Sequence, residues 1–164
     1  LFGKLLLINP PAPASLNKAP GKRSKLYKFL LEIPVFGTLI YNMKSSQSNV
    51  QLLFTEKYLY NPFHITPELI DTYYEAAHKD FGHSKFLLSS ICGLYTNNSI
   101  THALKNINQS IVILTGEAEP DGEEIAHTYT ELNPAVETCT LKRAKHLPQL
   151  ETSEDFLETL NIYL

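Results

Sequence analysis

The spacing of apolar positions divides the chain into a short first strand, a long helical stretch and a final stretch of alternating strands and helices. The run Lys4-Leu5-Leu6-Leu7-Ile8 is continuously apolar after its first residue, which is typical of a strand buried on both faces of a parallel sheet. The segment from Asn9 to Pro20 contains four prolines, which predicts a loop. From residue 18 to about residue 104 the apolar spacing is helical, and no strand pattern occurs.

Helix boundaries are visible within the helical stretch. Leu26, Phe29, Leu30 and Ile33 are expected to share the apolar face of a helix that ends before Pro34. The triplet Thr66-Pro67-Glu68 is typical of a helix start, with a capping residue, a proline at the first helical position and an early acid. Further helices are predicted at residues 34–42, 50–58, 85–94 and 99–107.

The final stretch predicts a parallel sheet. Residues 110–115 form a β-branched strand, residues 123–132 a helix, Val136–Leu141 a second strand, and Ser153 caps a last helix. Strand, helix and strand at this spacing form parallel βαβ units, and the first strand is expected to join the same sheet. The predicted fold class is α/β: a partial parallel sheet of about three strands with flanking helices and an inserted all-helical cap.

Three domains follow from this pattern. Residues 1–17 hold the first core strand and a loop, residues 18–104 the helical cap, and residues 105–164 the C-terminal α/β core. The composition is that of a folded protein, because 43% of the 164 residues are hydrophobic and 19% are charged. The cap is expected to act as a lid outside the sheet.

Charge and hydropathy exclude two classes of partner. The net charge is −3 and the 14 Lys and Arg residues form no long run, so no nucleic-acid partner is expected. No stretch approaches the roughly 18 apolar residues of a membrane span. The densest basic cluster is expected to be a solvated helix face, and it comprises Lys18, Lys22, Arg23, Lys25 and Lys28.

The start of the chain and its cysteines indicate an intracellular protein. Leu1-Phe2-Gly3-Lys4-Leu5 lacks the charged and apolar regions of a signal peptide. It also lacks an initiator Met, which indicates either processing or a longer parent chain. Cys92 and Cys139 lie far apart and are expected to be free, buried thiols. A cytoplasmic location is the expectation.

The candidate chemistry lies in two turns that follow predicted strands. An acidic turn with Glu117, Glu119 and Asp121 follows the strand at 110–115, and His146 follows the strand at Val136–Leu141. A parallel sheet places such loops at the edge where ligands bind. The order acid, then His, is that of the second and third members of a Ser…Asp/Glu…His triad. No convincing Gly-x-Ser-x-Gly turn for the first member occurs in the chain.

In this order the chain resembles the C-terminal half of an α/β-hydrolase with a helical cap, and the resemblance covers nearly the whole sequence. The family's acid turn usually reads Gly-x-x-Asp-Pro, whereas the corresponding residues here are Gly116-Glu117-Ala118-Glu119-Pro120. The other similar segments are Leu7-Ile8-Asn9-Pro10, Tyr129-Thr130-Glu131-Leu132-Asn133-Pro134, His146-Leu147-Pro148-Gln149-Leu150-Glu151 and Ser153-Glu154-Asp155-Phe156-Leu157.

The resemblance implies that His146 and Glu119 are the catalytic His and acid. Glu117 and Asp121 remain alternatives for the acid, and any of the three could be a solvated turn residue. His146 could instead cap the helix that follows, and Glu151 is expected to be structural, bracing the loop or the last helix. The sequence departs from the family twice: Glu119 replaces Asp, and Lys145 replaces the Gly that usually precedes the His, which removes backbone freedom and adds a cation.

Other motifs in the chain have simpler explanations. The segment Gly82-His83-Ser84-Lys85-Phe86 begins like Gly-x-Ser-x-Gly, but Phe86 replaces the second Gly and a helix precedes it. Two Glu-x-x-His pairs resemble those of di-iron bundles, but their positions on unrelated helices favour chance. These pairs are Glu75 with His78 and Glu124 with His127. The nearby polar residues His78, Asp80 and His83 are expected to be loop polarity, so no metal or other cofactor is expected.

Two functions remain open at this point. One is the C-terminal portion of a serine hydrolase acting on esters, amides or similar small acyl substrates, inactive alone because the upstream Ser is missing. The exposed edge of the first strand should then recruit the missing N-terminal half or a second copy of the chain. The other is a non-catalytic binding or interaction protein on a hydrolase-like scaffold, which the changes at Glu119 and Lys145 favour.

Overall fold

The computed structural model describes residues 3–80 and 83–163. Residues 1, 2, 81, 82 and 164 lie outside the described residues, and so do the expectations that concern Leu1, Phe2 and Gly82. In the part of the chain that is described, three strands occur with ten α-helices. The strands are β1 (Lys4–Ile8), β2 (Ser110–Gly116) and β3 (Val136–Leu141). The helices are α1 (Pro13–Leu16), α2 (Lys22–Glu32), α3 (Pro34–Lys44), α4 (Gln47–Leu53), α5 (Pro67–His78), α6 (Ser84–Cys92), α7 (Thr101–Asn106), α8 (Gly122–Leu132), α9 (Pro148–Glu151) and α10 (Ser153–Tyr163).

The three strands form one parallel sheet in the order β1-β2-β3, which confirms the predicted fold class. The central strand β2 is buried along nearly its whole length. Ile113 and Leu114 are both fully buried, and because successive side chains of a strand point to opposite faces, they belong to two different apolar clusters. The continuous apolar sequence of β2 is therefore explained by packing on both faces of the sheet.

Helix α8 covers one face of the sheet with its buried side chains. Ala126 and Tyr129 are buried against Ile111 and Ile113, with Ile125 and Leu132 packed beside them. The Tyr129 hydroxyl donates a hydrogen bond to the Pro11 carbonyl at 2.9 Å. Burial of this phenol raises its pKa, so the neutral, donating form is favoured. On the opposite face of the sheet, Phe156 of α10 belongs to the same apolar cluster as Val112 of β2 and Leu141 of β3.

The described residues separate into two compact units. The sheet unit contains residues 3–16, Thr55–His64 and 99–163. The helical unit contains Asn17–Phe54 and Ile65–Asn98, with residues 81 and 82 left undescribed. The helical unit is thus an insertion in the chain order of the sheet unit, and the segment Thr55–His64, here called the 55–64 segment, interrupts it.

In the helical unit, α2 and α3 follow one another with a single residue between them. Pro34 occupies the first turn of α3, and Ile33 before it is extended, as a residue preceding proline tends to be. Gly37 allows the two helices to approach closely, because a Cβ at this position would overlap the Leu31 carbonyl. Ser24 and Leu31 are the buried residues of α2.

Several predictions about side-chain burial are wrong although the elements are present. Leu26 and Phe29 are 58% and 62% exposed, because α2 packs on α6 through a different face that includes Ser24 and Leu31. Cys92, the last residue of α6, is exposed rather than buried, and Cys139 is half-buried; both thiols are free.

One predicted helix start also differs from the structure. Ser153 is the first residue of α10 rather than the capping residue before it.

Candidate active site

His146 and Glu119 meet at the carboxyl-end edge of the sheet. His146 lies in the loop after β3, residues 142–147, here called the His146 loop, and Glu119 lies in the turn after β2. The Nδ1 atom of His146 is 3.1 Å from Oε1 of Glu119. Since an ionised carboxylate can only accept, this hydrogen bond requires the proton on Nδ1. Parallel strands end at the same edge of a sheet, which explains why residues distant in sequence come together.

The two groups differ in their exposure. The His146 side chain is 40% exposed, whereas that of Glu119 is 18% exposed. Among the described residues His146 Nε2 has no hydrogen-bond partner, so it is open to a ligand. The second carboxylate oxygen of Glu119, Oε2, is buried and makes no hydrogen bond to the described protein atoms. Within the described ranges the side chain of Glu119 therefore makes its one hydrogen bond to His146.

The acidic alternatives in the same turn lie in other environments. Glu117 is exposed, and its Oε2 accepts from the Arg143 backbone N–H at 3.0 Å. Asp121 is also exposed and has a left-handed backbone, with φ of 58°, directly before α8. Within the described ranges neither carboxylate is hydrogen-bonded to His146. Of the three carboxylates that the sequence offers, the structure brings Glu119 to the imidazole.

Asn9 joins the ends of the first two strands to the His146 loop. Its Nδ2 donates to the carbonyls of Lys145 and His146 at 2.9 and 2.8 Å, and its Oδ1 accepts from the Gly116 N–H at 3.1 Å. The backbone of Asn9 has φ of 42°, a conformation that Asn adopts more readily than most residues. One amide side chain thus connects the loops that carry the acid and the His.

Gly116 allows this close approach. A Cβ at position 116 would overlap the carbonyl oxygens of Lys145 and Ala144. The glycine therefore lets the end of β2 lie directly against the His146 loop. Gly116 corresponds to the first residue of the Gly-x-x-Asp-Pro pattern, and the close approach of the His146 loop explains why a residue without a Cβ is needed there.

Tyr58 contacts the same loop from a distant part of the sequence. It ends a π-helical turn, Phe54–Tyr58, of a kind that often occurs near functional sites. The Tyr58 carbonyl accepts from the N–H groups of His146 and Leu147 at 3.1 and 3.3 Å. The Tyr58 ring is stacked on the imidazole, with centroids 5.4 Å apart and planes inclined by 28°.

Glu151 braces the His146 loop, as expected. Its Oε2 accepts from the Lys145 N–H at 2.8 Å, and its Oε1 accepts from the N–H groups of Tyr60 and Asn61 at 2.6 and 3.0 Å. The Lys145 ammonium donates to the Glu56 carbonyl at 2.5 Å. Lys145 is thus bonded to the 55–64 segment directly through its ammonium, whereas its backbone N–H is bonded to Glu151, whose other oxygen binds that segment.

The other candidate motifs form no site in the described residues. Ser84 begins α6 and does not lie on a strand-to-helix turn. His78 Nδ1 lies 2.8 Å from the Tyr74 carbonyl, and its Nε2 lies 3.3 Å from Ser45 Oγ. His127 faces Glu131 at 3.6 Å on an exposed surface of α8. Nowhere in residues 3–80 and 83–163 do three His, Cys, Asp or Glu side chains form a potential metal site.

The helical unit contains an apolar groove of about 840 Å³. Its lining includes Leu30, Leu31, Phe36, Ile40 and Tyr41, with a few polar groups beside them. A volume of this size is typical of small-molecule sites in proteins. In the part of the chain that is described, every helix is too short or too polar to cross a bilayer.

Comparison with solved structures identifies the fold. A serine hydrolase from the polyaromatic-hydrocarbon-degrading bacterium Cycloclasticus zankles matches with a TM-score of 0.65 and 17% identity, over 99% of this chain and 55% of its own. Wild-type Cfl2 from Burkholderia cenocepacia matches with a TM-score of 0.67 and 17% identity, over 98% and 56%. MenH from S. aureus matches with a TM-score of 0.64 and 16% identity, over 99% and 58%. No family model and no curated protein sequence matches the chain.

These neighbours are α/β-hydrolases, and the chain has the α/β-hydrolase fold. It spans a little over half the length of the solved structures that it matches. The part of the fold that it spans is the three-stranded parallel sheet with its flanking helices and the inserted helical unit. This agrees with the C-terminal, cap-containing portion that the sequence motifs indicate.

Sequence reasoning missed two residues of the site. Asn9 was included only in a strand end and a loop, although an Asn after a strand is a known signal for a left-handed backbone. Tyr58 is one of several aromatic residues of the helical stretch that are expected to line an acyl pocket or to pack the cap, and nothing in the sequence distinguishes it from the others. Its contact with His146 exists only because the 55–64 segment belongs to the sheet unit.

Proposed function

We propose that this chain supplies the acid and the His of a Ser–His–acid triad in an α/β-hydrolase, with Glu119 as acid and His146 as base. The observation that carries the proposal is the hydrogen bond between His146 Nδ1 and Glu119 Oε1, with Nε2 left open. In such a triad the imidazole takes the nucleophile's proton through Nε2 and returns it to the leaving group. The carboxylate fixes the tautomer and stabilises the imidazolium.

The substrates we propose are esters, amides or similar small acyl compounds. The nucleophile would be a serine in a Gly-x-Ser-x-Gly turn encoded upstream, and the backbone N–H groups near it would stabilise the oxyanion. This chain alone would then be inactive, because it supplies neither the attacking oxygen nor those donors. The absence of a Gly-x-Ser-x-Gly sequence among its 164 residues supports this part of the proposal.

The remaining parts of the proposal concern the helical unit and the partners. We propose that the helical unit is the cap. We further propose a cytoplasmic protein in which the free edge of β1 pairs with the N-terminal half or with a second copy of the chain. In the described sheet β1 is bonded on one side only, to β2, which supports such a pairing.

The experiment that tests the enzyme proposal extends the chain upstream. The coding sequence before Leu1 is determined, and the chain is expressed with and without it. The extended polypeptide is expected to contain the Gly-x-Ser-x-Gly turn, to be labelled by a fluorophosphonate and to hydrolyse p-nitrophenyl acetate, with the hydrolysis abolished by His146→Ala. The chain alone is expected to do neither.

Two results would contradict the proposal. Ester hydrolysis by the chain alone that depends on His146 would show that no upstream serine is needed. An extended polypeptide without the serine turn, or one that is neither labelled nor active although folded, would exclude the triad. The matched control is His127→Ala, because His127 is an exposed histidine of α8 and its replacement should leave activity unchanged.

A non-catalytic binding protein is the second candidate. The apolar groove in the helical unit favours it, because a groove of about 840 Å³ can hold a small apolar ligand without any catalytic group. This candidate predicts no fluorophosphonate labelling of either polypeptide. It also predicts that a fluorescent apolar probe binds and that His146→Ala does not affect the binding.

A further inference from the structure

The strongest feature beyond the acid–His pair is the aromatic ring that lies against it. Tyr58 is the last residue of the π-helical turn, and its carbonyl accepts hydrogen bonds from two successive N–H groups of the His146 loop. Its ring is then stacked on the imidazole at 5.4 Å. Three contacts from one residue therefore fix both the backbone and the ring of His146.

The geometry shows why a face contact matters. The rotation of an imidazole about its Cβ–Cγ bond has broad energy minima, so the backbone alone does not fix the plane of the ring. Glu119 contacts only the Nδ1 edge of the ring. The Tyr58 ring contacts its face, with the planes inclined by 28°. Together the edge contact and the face contact restrict the imidazole to one orientation.

We propose that the Tyr58 ring is a positioning residue for the acid–His pair. By stacking on the imidazole it holds Nδ1 towards Glu119 and leaves Nε2 open for the nucleophile's proton. This inference rests on the proposed function in one respect, namely that the open Nε2 takes part in a reaction. The orientation of the imidazole itself depends only on the contacts with Glu119 and Tyr58.

The ring can be tested separately from the backbone of its segment. Glu151 holds the 55–64 segment against the His146 loop through the N–H groups of Tyr60 and Asn61, and the Lys145 ammonium binds the Glu56 carbonyl. None of these contacts uses the Tyr58 side chain. Removing the ring should therefore leave the backbone contacts in place.

The test uses the full chain with ¹⁵N-labelled histidine and measures the ring nitrogens of His146 by NMR at pH 8. In the wild type we expect the tautomer with the proton on Nδ1 to dominate. Tyr58→Phe should behave in the same way, because it keeps the ring. Tyr58→Leu should lower the tautomer ratio by about threefold, the scale expected for one aromatic stacking contact. If Tyr58→Leu does not fold, Tyr58→Met carries the same test.

Two controls separate the possible results. Tyr60→Leu changes an exposed ring of the same segment and should leave the tautomer ratio unchanged. Glu119→Leu removes the acceptor and should abolish the preference for Nδ1–H. A ratio that is unchanged in folded Tyr58→Leu, while Glu119→Leu alters it, overturns the positioning inference and leaves the acid–His pair intact. A ratio that Glu119→Leu also leaves unchanged overturns the pair itself, and with it the proposed function.

Discussion

Glu119 is distinguished from the other acids of its turn by its contact with His146 and not by its residue type. Three acids lie within one turn, and the family pattern places an Asp where this chain has Glu119. The side chain of Glu119 is the one that points to the imidazole, while Glu117 turns outward to the Arg143 N–H. Asp121, the third acid, is exposed and has a left-handed backbone directly before α8.

Replacing each of the first two acids by its amide tests this selection. In the extended polypeptide we expect Glu119→Gln to lower kcat/KM by about two to four orders of magnitude, because the neutral amide no longer enforces the tautomer or stabilises the imidazolium. Glu117→Gln is the matched control and should change kcat/KM by less than about twofold, since its carboxylate has an exposed backbone partner. Equal losses in the two variants would contradict the assignment of Glu119.

At the residue scale the sequence predicts His146 and a group of three acids as candidates, and in the structure Glu119 is the acid that contacts the imidazole. Asn9 and Tyr58 could not be assigned from the sequence for a physical reason. The hydrogen bonds of Asn9 run to Gly116 and to the His146 loop, and the Tyr58 ring lies on His146. Such contacts depend on which loops a folded sheet brings together.

At the element scale the apolar spacing predicted which segments are helices and strands. The bounds of β3 agree fully, and those of β2 and α8 agree to within a residue. The buried faces of the helical unit were harder to predict, as Leu26 and Phe29 show. Helix α2 mixes its apolar residues with four basic ones, so its spacing does not specify a single buried face; the basic residues are Lys22, Arg23, Lys25 and Lys28.

The close contact of α2 with α3 leads to a stability prediction. Gly37→Ala should lower the free energy of unfolding by about 1–3 kcal/mol, because the new methyl group overlaps the Leu31 carbonyl and the helices must move apart. Urea unfolding followed by circular dichroism at 222 nm measures the effect. Gly3→Ala is the matched control, with open space around its Cβ position, and should stay within about 0.5 kcal/mol. An equal effect of both would show that the helix contact is not tight.

At the scale of the whole molecule, chain order and spatial grouping differ. The sequence predicted one continuous helical cap, and this domain assignment stays a prediction. Among the described residues the 55–64 segment belongs to the sheet unit, and its Tyr58 is hydrogen-bonded to the His146 loop. The backbone bonds from Tyr58 and the carboxylate of Glu151 stabilise this placement.

The free edge of β1 leads to a prediction about assembly. Because its outer side has no strand partner in the described sheet, the isolated chain is expected to form a dimer, detectable by sedimentation velocity over a series of protein concentrations. Ile8→Lys should weaken this dimer by about tenfold, because it adds a second charge to β1, at the end opposite Lys4, and charged side chains on an edge strand oppose edge pairing. A monomer at all concentrations would exclude self-pairing through this edge.

The sequence by itself determined the parallel sheet, its helices and the position of the acid and His turns, because apolar periodicity and strand–helix order are local properties of a chain. The tertiary structure decided which acid meets His146, which face of α2 is buried, and that Asn9, Tyr58 and Glu151 surround the His146 loop. Those outcomes depend on side-chain reach and on the packing of segments far apart in sequence. No local pattern contains that information.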